Sequence, residues 1–480
     1  MLSSNIIMYP GFPLKRQINR GIIYMDVNKL ALCLSGMFIL SAVSPAGVAS
    51  AQETEAGIGF SPAVISVETT YAGEDVNAEN FNEALNAWCA QTGCRVDNRS
   101  ANSNEMFKEM VREEFASGTE PDVLFFFTGA DANSFIAADE VVPVDRIRED
   151  YPEYASNMND DLIPVSLVDG RAYSVPVNGF WEGLYYNSEI LKESGVEVPG
   201  TGYTMEQFIK DCRKIKKTGY TPIAASLGEI PHYWWEYMIF NQQTPKTHDL
   251  IPQTAGDETG QQWVRGIETV KKLYGEGFFP DNTLSISNMD TVSLMVGGKA
   301  AFLLDGSWRL GSIVNGCLTD PDDQSSLDED KLDKFGVAYC PGDGKRKATD
   351  IIGGMSMGYY ISRRAYEDPD KRDAAVNFVE YMTSDKVVMK FASHTATALK
   401  NPPKPNMETL NSLQLKAVSM VQESTSITPA VQDLYLGECR SSTFDGMPEL
   451  VTGRRDIADA VEEGLEIYHS QVSVQKDTEG

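Results

Sequence analysis

An α/β fold built on a parallel sheet is what this sequence predicts, and two observations predict it. Strand and helix signals alternate from Val64 onward. One apolar run, PDVLFFF (Pro121–Phe127), is bounded by proline and glycine, as a fully buried strand should be.

The elements follow in order. VISVETT (Val64–Thr70) is rich in β-branched residues and opens the series as a strand. Phe81, Leu85 and Trp88 then recur at helical spacing, and CRVDN follows as a short strand. Phe107, Val111 and Phe115 form the stripe of a second helix, which Gly118 ends before the Pro121–Phe127 run. Ligands on such sheets bind beyond the carboxyl ends of the strands, which singles out Phe126, Phe127, Thr128 and Asp131 by position. Further along, TMEQFIKDCRKIKKTG (Thr204–Gly219) carries a capping threonine, a stripe at Phe208, Cys212 and Ile215, and a terminal glycine. QQWVRGIETVKKLYGEGFF places Trp263, Ile267, Val270 and Tyr274 on one face, so Trp263 is expected in the core. DAAVNFVEYMTSDKVVMKFAS reads as another amphipathic helix. No fixed-period repeat is present. The acidic loop TDPDDQSSLDEDKLDK and residues 473–480 are expected to be solvated, the latter as a flexible tail.

At 480 residues the chain has room for two or three domains, and 42% hydrophobic with 23% charged is ordinary globular composition. Leu30–Val43, LALCLSGMFILSAV, is apolar but short for a bilayer span and suits a signal-peptide core. Lys29 precedes it, and Ala49-Ser50-Ala51 offers small residues for cleavage near Ala51. Residues 1–51 therefore read as a signal peptide with an upstream segment, starting at Met1 or Met25. Cys33, preceded by Leu32, is a poor lipidation site. The net charge is −28. Removing residues 1–51 takes away Lys15, Arg16, Arg20 and Lys29 against only Asp26, so the remainder is more acidic still. Such acidity disfavours nucleic acid and anionic membranes.

Six cysteines lie beyond the signal segment: Cys89, Cys94, Cys212, Cys317, Cys340 and Cys439. An even number in an exported chain suggests disulfides. Cys89 and Cys94 are near enough in sequence to close a small loop. Zinc is the rival reading, but there is no CxxC and only four histidines.

Catalytic signals are absent from the sequence. There is no GxSxG, HExxH or P-loop pattern, and His232, His248, His394 and His469 are scattered without ligand spacing. With 69 acidic residues, any chosen pair of carboxylates has a low prior as a glycosidase pair. Nothing marks a nucleophile, a metal centre or a cofactor. The positive signal is aromatic residues beside small polar ones: Trp181 and Tyr186 in NGFWEGLYYN, Tyr233, Trp234 and Trp235 in PHYWWEYM, and Trp308 in GKAAFLLDGSW. Sugar rings present an apolar C–H face and a rim of hydroxyls, which aromatic platforms and polar groups match. Each tryptophan could equally fill a core.

These stretches carry a resemblance. EEFASGTEPDVLFF, DGRAYSVPVNGFWEGLYYNSEILKESGVEVPGTGYTMEQFIKDCRKI, GKAAFLLDGSW and GGMSMGYYISRRA resemble the extracellular solute-binding proteins of bacterial ABC importers, in the sugar-binding branch that includes maltose-binding protein. The resemblance runs from Val64 to about Met382, and more weakly through ITPAVQDL and GRRDIADAVEEGLEIYHSQ. It implies a two-lobed periplasmic-binding-protein fold with the ligand cleft between lobes joined by hinge crossovers. Lobe 1 would hold residues 60–175 and 350–392, and lobe 2 residues 178–344 and 395–472. The first crossover would fall at SVPVNG.

The resemblance also implies a site. The loop after PDVLFF would supply Phe126, Phe127, Thr128 and Asp131, although relatives often carry tryptophan on that strand. Trp181 and Glu182 would follow the hinge, and Trp234 or Trp235 would form a wall of lobe 2. Trp308 would stack on sugar with Asp305 accepting a hydroxyl, and Gly354 and Met355 would add contacts. Bridges Cys89–Cys94 and Cys317–Cys340 would each stay inside one lobe. The implied function is a periplasmic, non-enzymatic receptor, monomeric and without cofactor or metal. It would deliver a mono- or oligosaccharide to ABC permease subunits in the inner membrane. The alternatives are the same scaffold holding a polyamine, ferric iron or an osmolyte, or a secreted carbohydrate-active enzyme. Tyr185-Tyr186 and Tyr359-Tyr360 are weak iron signals, because adjacent strand residues point to opposite faces.

Overall fold

The computed structural model describes residues 60–477 apart from 74, 76, 322, 393–394, 403–406 and 436. The expected signal segment, its cleavage position, Met25, Cys33 and His394 lie outside the described residues.

The β-rich opening does form a strand, β1 (Val64–Glu68), which pairs in parallel with β2 (Arg95–Asn98) and β3 (Val123–Phe127). The two connecting helices, Ala78–Thr92 and Glu105–Ser117, both stop at left-handed glycines, Gly93 and Gly118. Asn104 caps the second through its side chain, which accepts the Phe107 N–H. A fourth strand, β9 (Met357–Ile361), joins antiparallel to β3, so the first sheet runs β2-β1-β3-β9.

Period-two alternation divides this sheet's side chains between two cores. Ile65, Val67, Phe125 and Tyr359 pack on one face with Trp88 and Phe378, while Leu124, Phe126 and Tyr360 pack on the other with Phe107 and Phe135. The adjacent tyrosines thus face opposite ways.

The second sheet runs β10-β8-β4-β6-β5, from β4 (Phe180–Asn187), β5 (Thr221–Ala224), β6 (Ala300–Gly306), β8 (Asp350–Gly354) and β10 (Ser426–Thr428). β7 (Phe335–Ala338) pairs with the far half of β4. The alternation of β4 sends Leu184 and Tyr186 to one core and Trp181 and Tyr185 to the other. Trp263 lies fully buried on the apolar face of helix Glu258–Gly275, where the sequence places it.

Each sheet therefore has its own two-sided core, which makes two lobes. The chain first crosses between Val175, bridged to Tyr359 in the first lobe, and Phe180, paired with Gly354 in the second. It crosses back between β8 and β9, where Gly354 adopts a φ of 152° that favours glycine.

Three expectations are corrected here. Asp350–Gly354 belongs to the second sheet, because buried Ile351 and Ile352 sit in a strand flanked by β4 and β10. The return to the first lobe begins at Met357. Ala398 and Leu399, expected in lobe 2, pack in the first lobe's core, and Ala398 O accepts the Asn159 N–H. The closing helix, Ile457–Asp477, runs past Val472 into the expected tail, with no proline or glycine between Gly464 and Asp477 to stop it.

Candidate ligand-binding cleft

Of the six tryptophans, five are fully buried and Trp308 alone is not. It sits where β6 ends. The backbone turns at Gly306, Ser307 donates its N–H to the Trp181 carbonyl (2.8 Å), and helix Arg309–Asn315 starts directly after Trp308. The indole lies 6.1 Å from the Phe180 ring and 6.2 Å from the Tyr233 ring. His232 lies 4.3 Å beyond Tyr233. These three aromatics form a partly open wall at the end of the second sheet.

Carboxylates stand behind and beside that wall. Asp305 is fully buried and already engaged. Its oxygens accept from the Gly306 N–H (2.7 Å), Arg309 Nε (2.7 Å) and Asn288 Nδ2 (3.4 Å). As the free hydroxyl acceptor the resemblance implied, it is largely spoken for. Glu182 pairs across β4 and β6 with Gly306. It is fully buried, and neither carboxylate oxygen has a protein partner. Burial first, then Glu236, Asp305 and Asp433, push its pKa well above the ordinary value. Asp433 is pushed up to about 7, by burial and then by Glu236. His232 is held down to about 3, by burial and then by Lys108 and Arg440, so it is neutral.

On the first lobe, the end of β3 meets this region. Thr128 donates its N–H to Ser356 O (2.8 Å). The Lys108 ammonium lies 4.4 Å over the half-buried Phe127 ring, covering one face of it. Tyr71 reaches the crossover, donating its hydroxyl to Asn178 Oδ1 (3.2 Å). Met355 is half-buried, and its sulfur lies close to Gly179, also beside the crossover.

Several expected site residues sit elsewhere. Phe126 is core, packed with Phe107 and Phe135. Trp181 is buried on the opposite face of β4 from Glu182, 6.1 Å from Tyr185. Trp234 stacks on Phe208 (5.6 Å), and Trp235 packs edge-on against Trp263 (5.1 Å) and Phe444 (4.5 Å). Both point into the second lobe's core, whereas Tyr233 on the same helix, His232–Phe240, turns toward Trp308. Asp131 is taken up by an ion-pair cluster rather than left free for a hydroxyl. The bridges also differ. Neither bridge forms: Cys89, Cys94, Cys317 and Cys340 are free thiols. Cys94 Sγ accepts the Ala63 N–H (3.3 Å), while Cys317 and Cys340 lie in cores on opposite faces of the second sheet.

Phe180, His232, Asp433 and Arg440 are not singled out by the sequence as site residues; Tyr233 belongs to the aromatic signal, but the wall is expected from Trp234 or Trp235. The alternation of β4 could have found Phe180, two residues before Glu182 on the same face. Nothing in the sequence ties Asp433 or Arg440 to the site. Among the described residues, no group of three His, Cys, Asp or Glu is placed to hold a metal ion, and no helix is long and apolar enough to cross a membrane.

Two α/β lobes joined by extended crossovers, with an aromatic and polar region where they meet, define a binding protein of the two-lobed class. Residues 74–389 match the bacterial extracellular solute-binding protein family, and the chain belongs to that family. The multiple sugar-binding protein of Streptococcus mutans serotype c is 25% identical over 255 residues, 50% of this chain and 53% of that protein. The melibiose/raffinose/stachyose-binding protein MelE of Bacillus subtilis is 28% identical over 180 residues, 32% of this chain and 40% of its own. The chain thus spans about half the length, or less, of these curated relatives. Among solved structures, a chitin oligosaccharide binding protein superposes with a TM-score of 0.68 at 19% identity, covering 86% of this chain and all of that one. Maltotriose-bound MalE of Bdellovibrio bacteriovorus gives 0.64 at 17%, over 85% of this chain and 100% of its own. At such identities the structures share the fold.

Proposed function

We propose that this chain is an exported, non-catalytic receptor that captures a carbohydrate between its lobes and delivers it to an ABC permease. One observation carries the sugar reading. The only tryptophan of six left partly open stands at a strand end beside Phe180 and Tyr233, with polar side chains around the rim. An apolar wall with a few placed polar groups is what a pyranose face and its hydroxyls require. The two relatives, a multiple sugar-binding protein and a melibiose/raffinose/stachyose-binding protein, support the same ligand class.

The lobes work as a pair. Ligand that touches both favours the closed arrangement, since only differential affinity shifts such an equilibrium. The lobes divide at the crossovers, with residues 60–175 and 357–400 in the first and 180–354 and 412–477 in the second. The mature protein acts as a monomer in the periplasm after loss of its leader near Ala51.

A thermal-shift screen of mono- and oligosaccharides against refolded protein tests the reading. At least one saccharide raises the unfolding temperature. Stabilisation by a polyamine, ferric ion or an osmolyte with no response to any saccharide overturns it. Sugar cleaved by the purified protein would instead place it among carbohydrate-active enzymes.

A further inference from the structure

Asp131 sits in the loop after β3, on the first lobe, and is almost fully buried. Its carboxylate is held from both lobes. Lys108 Nζ (2.9 Å) and Arg112 Nη1 (3.5 Å) reach it from the first lobe's helix, and Arg440 Nη2 (2.8 Å) reaches it from the second. Arg440 lies 309 residues away, between Tyr435 and Phe444 of the second lobe's core. It too is buried, and Asp131 is its only ion-pair partner among the described residues. Lys108 also pairs with Glu105 (2.9 Å).

A second contact lies two residues away. Gly129 packs so tightly on the second lobe that a Cβ there would meet the Asp433 carbonyl oxygen at 2.0 Å. Its φ of −82° is outside the left-handed region, while its ψ of −136° falls outside the ordinary α and β regions, so closeness and backbone conformation both favour glycine. A charge-assisted pair and a close approach to backbone thus join the lobes at one place, just beyond the β8–β9 crossover, whose Ser356 O accepts the Thr128 N–H (2.8 Å).

We infer that Asp131, Lys108 and Arg440, seated by Gly129, form an interlobe latch that holds the cleft closed without ligand. Each lobe has a complete core of its own, so releasing this contact separates lobes without unfolding either. Buried ion pairs suit a reversible latch. Their attraction is strong when water is excluded, and hydration of both charges compensates when the lobes part. The latch also assigns Asp131 a role that leaves it unavailable to a sugar hydroxyl while the cleft is shut. Ligand must therefore enter through the population in which Arg440 has let go.

The test needs no sugar, so it stands apart from the ligand reading. Spin labels on exposed Ser117→Cys and Ser293→Cys, in a Cys89→Ser background, report the separation of the lobes in refolded, ligand-free protein. The unmodified latch gives mainly the short distance of this structure. Gly129→Ala and Arg440→Gln each add a longer distance, and Asp131→Asn combined with Arg440→Gln opens the cleft no further than either alone. Distributions that superimpose for all proteins, or a cleft already open before substitution, overturn the latch. Arg440→Gln that lowers the unfolding midpoint without changing the distance shows a fold-stabilising pair instead. Gly129→Ala removes no charge and no core atom, so it keeps the proposal testable should Arg440→Gln fail to fold.

Discussion

Trp308 and Phe180 lie 6.1 Å apart at the ends of two paired strands, β6 and β4, and neither is buried. Trp263, by contrast, is enclosed by Trp235 and Tyr435. The same substitution therefore has two different outcomes. Trp263→Ala lowers unfolding free energy by about 3–5 kcal/mol, as loss of a buried tryptophan does. Trp308→Ala leaves stability much closer to the parent. Denaturant unfolding of both proteins checks this, and equal losses would return Trp308 to the core.

Arg346 is the most deeply buried cation in the second lobe. Its guanidinium donates to Asn241 Oδ1 (2.8 Å) and to the carbonyls of Asp350 (2.7 Å), Cys340 (3.0 Å) and Pro341 (2.6 Å), and it lies 4.9 Å over the Tyr237 ring. A lysine has no planar fork with which to reach these acceptors. Arg346→Lys should cost more than about 2 kcal/mol, since buried carbonyls lose their donors. A urea midpoint unchanged from the parent would show that the carbonyls find other partners.

Acid should loosen the cluster around Asp131. Burial alone would raise its pKa, but Lys108, Arg440 and Arg112 overcome that and hold it at about 2, against an ordinary 3.8. A carboxylate with a depressed pKa contributes stability that is fully present above the unfolded value and lost as pH falls through the folded one. The loss therefore falls between about pH 4 and pH 2. Unfolding midpoints measured across that window fall for the parent and fall less steeply for Asp131→Asn. Parallel slopes would mean that Asp131 is not the titrating group.

Glu182 has the opposite sign. Its pKa is raised above 4.5, first by burial and then by neighbouring carboxylates, so its contribution is present in acid and lost as pH rises. Glu182→Gln should match the parent near pH 4.5 and exceed it in stability near pH 8. A variant less stable than the parent at both values would show that the carboxyl has a partner the amide cannot replace.

Local chemistry made much of this fold readable. Gly93 and Gly118 end helices as left-handed caps, and Thr204 accepts the Gln207 N–H at the start of its helix, because caps are set by neighbours in sequence. The β-α-β-α-β order of the first lobe followed from periodicity alone. The lobe that owns Asp350–Gly354 did not, because an apolar strand reads the same in either sheet. The same limit governs the tryptophans. Trp234 and Trp235 stand beside Tyr233 in sequence, yet a rotation of about 100° per helical residue separates the ring beside Trp308 from two rings deep in the core. The partner of Asp131 lies 309 residues away, beyond the reach of any local pattern.

The central claim is that saccharide binds against Trp308. Isothermal titration of a stabilising saccharide into refolded parent, Trp308→Ala and Trp263→Phe proteins tests it most directly. The account predicts that Trp308→Ala weakens binding by about 1–3 kcal/mol, or roughly 5- to 150-fold, while Trp263→Phe binds as the parent does. A folded Trp308→Ala protein that binds the saccharide with parental affinity would contradict it.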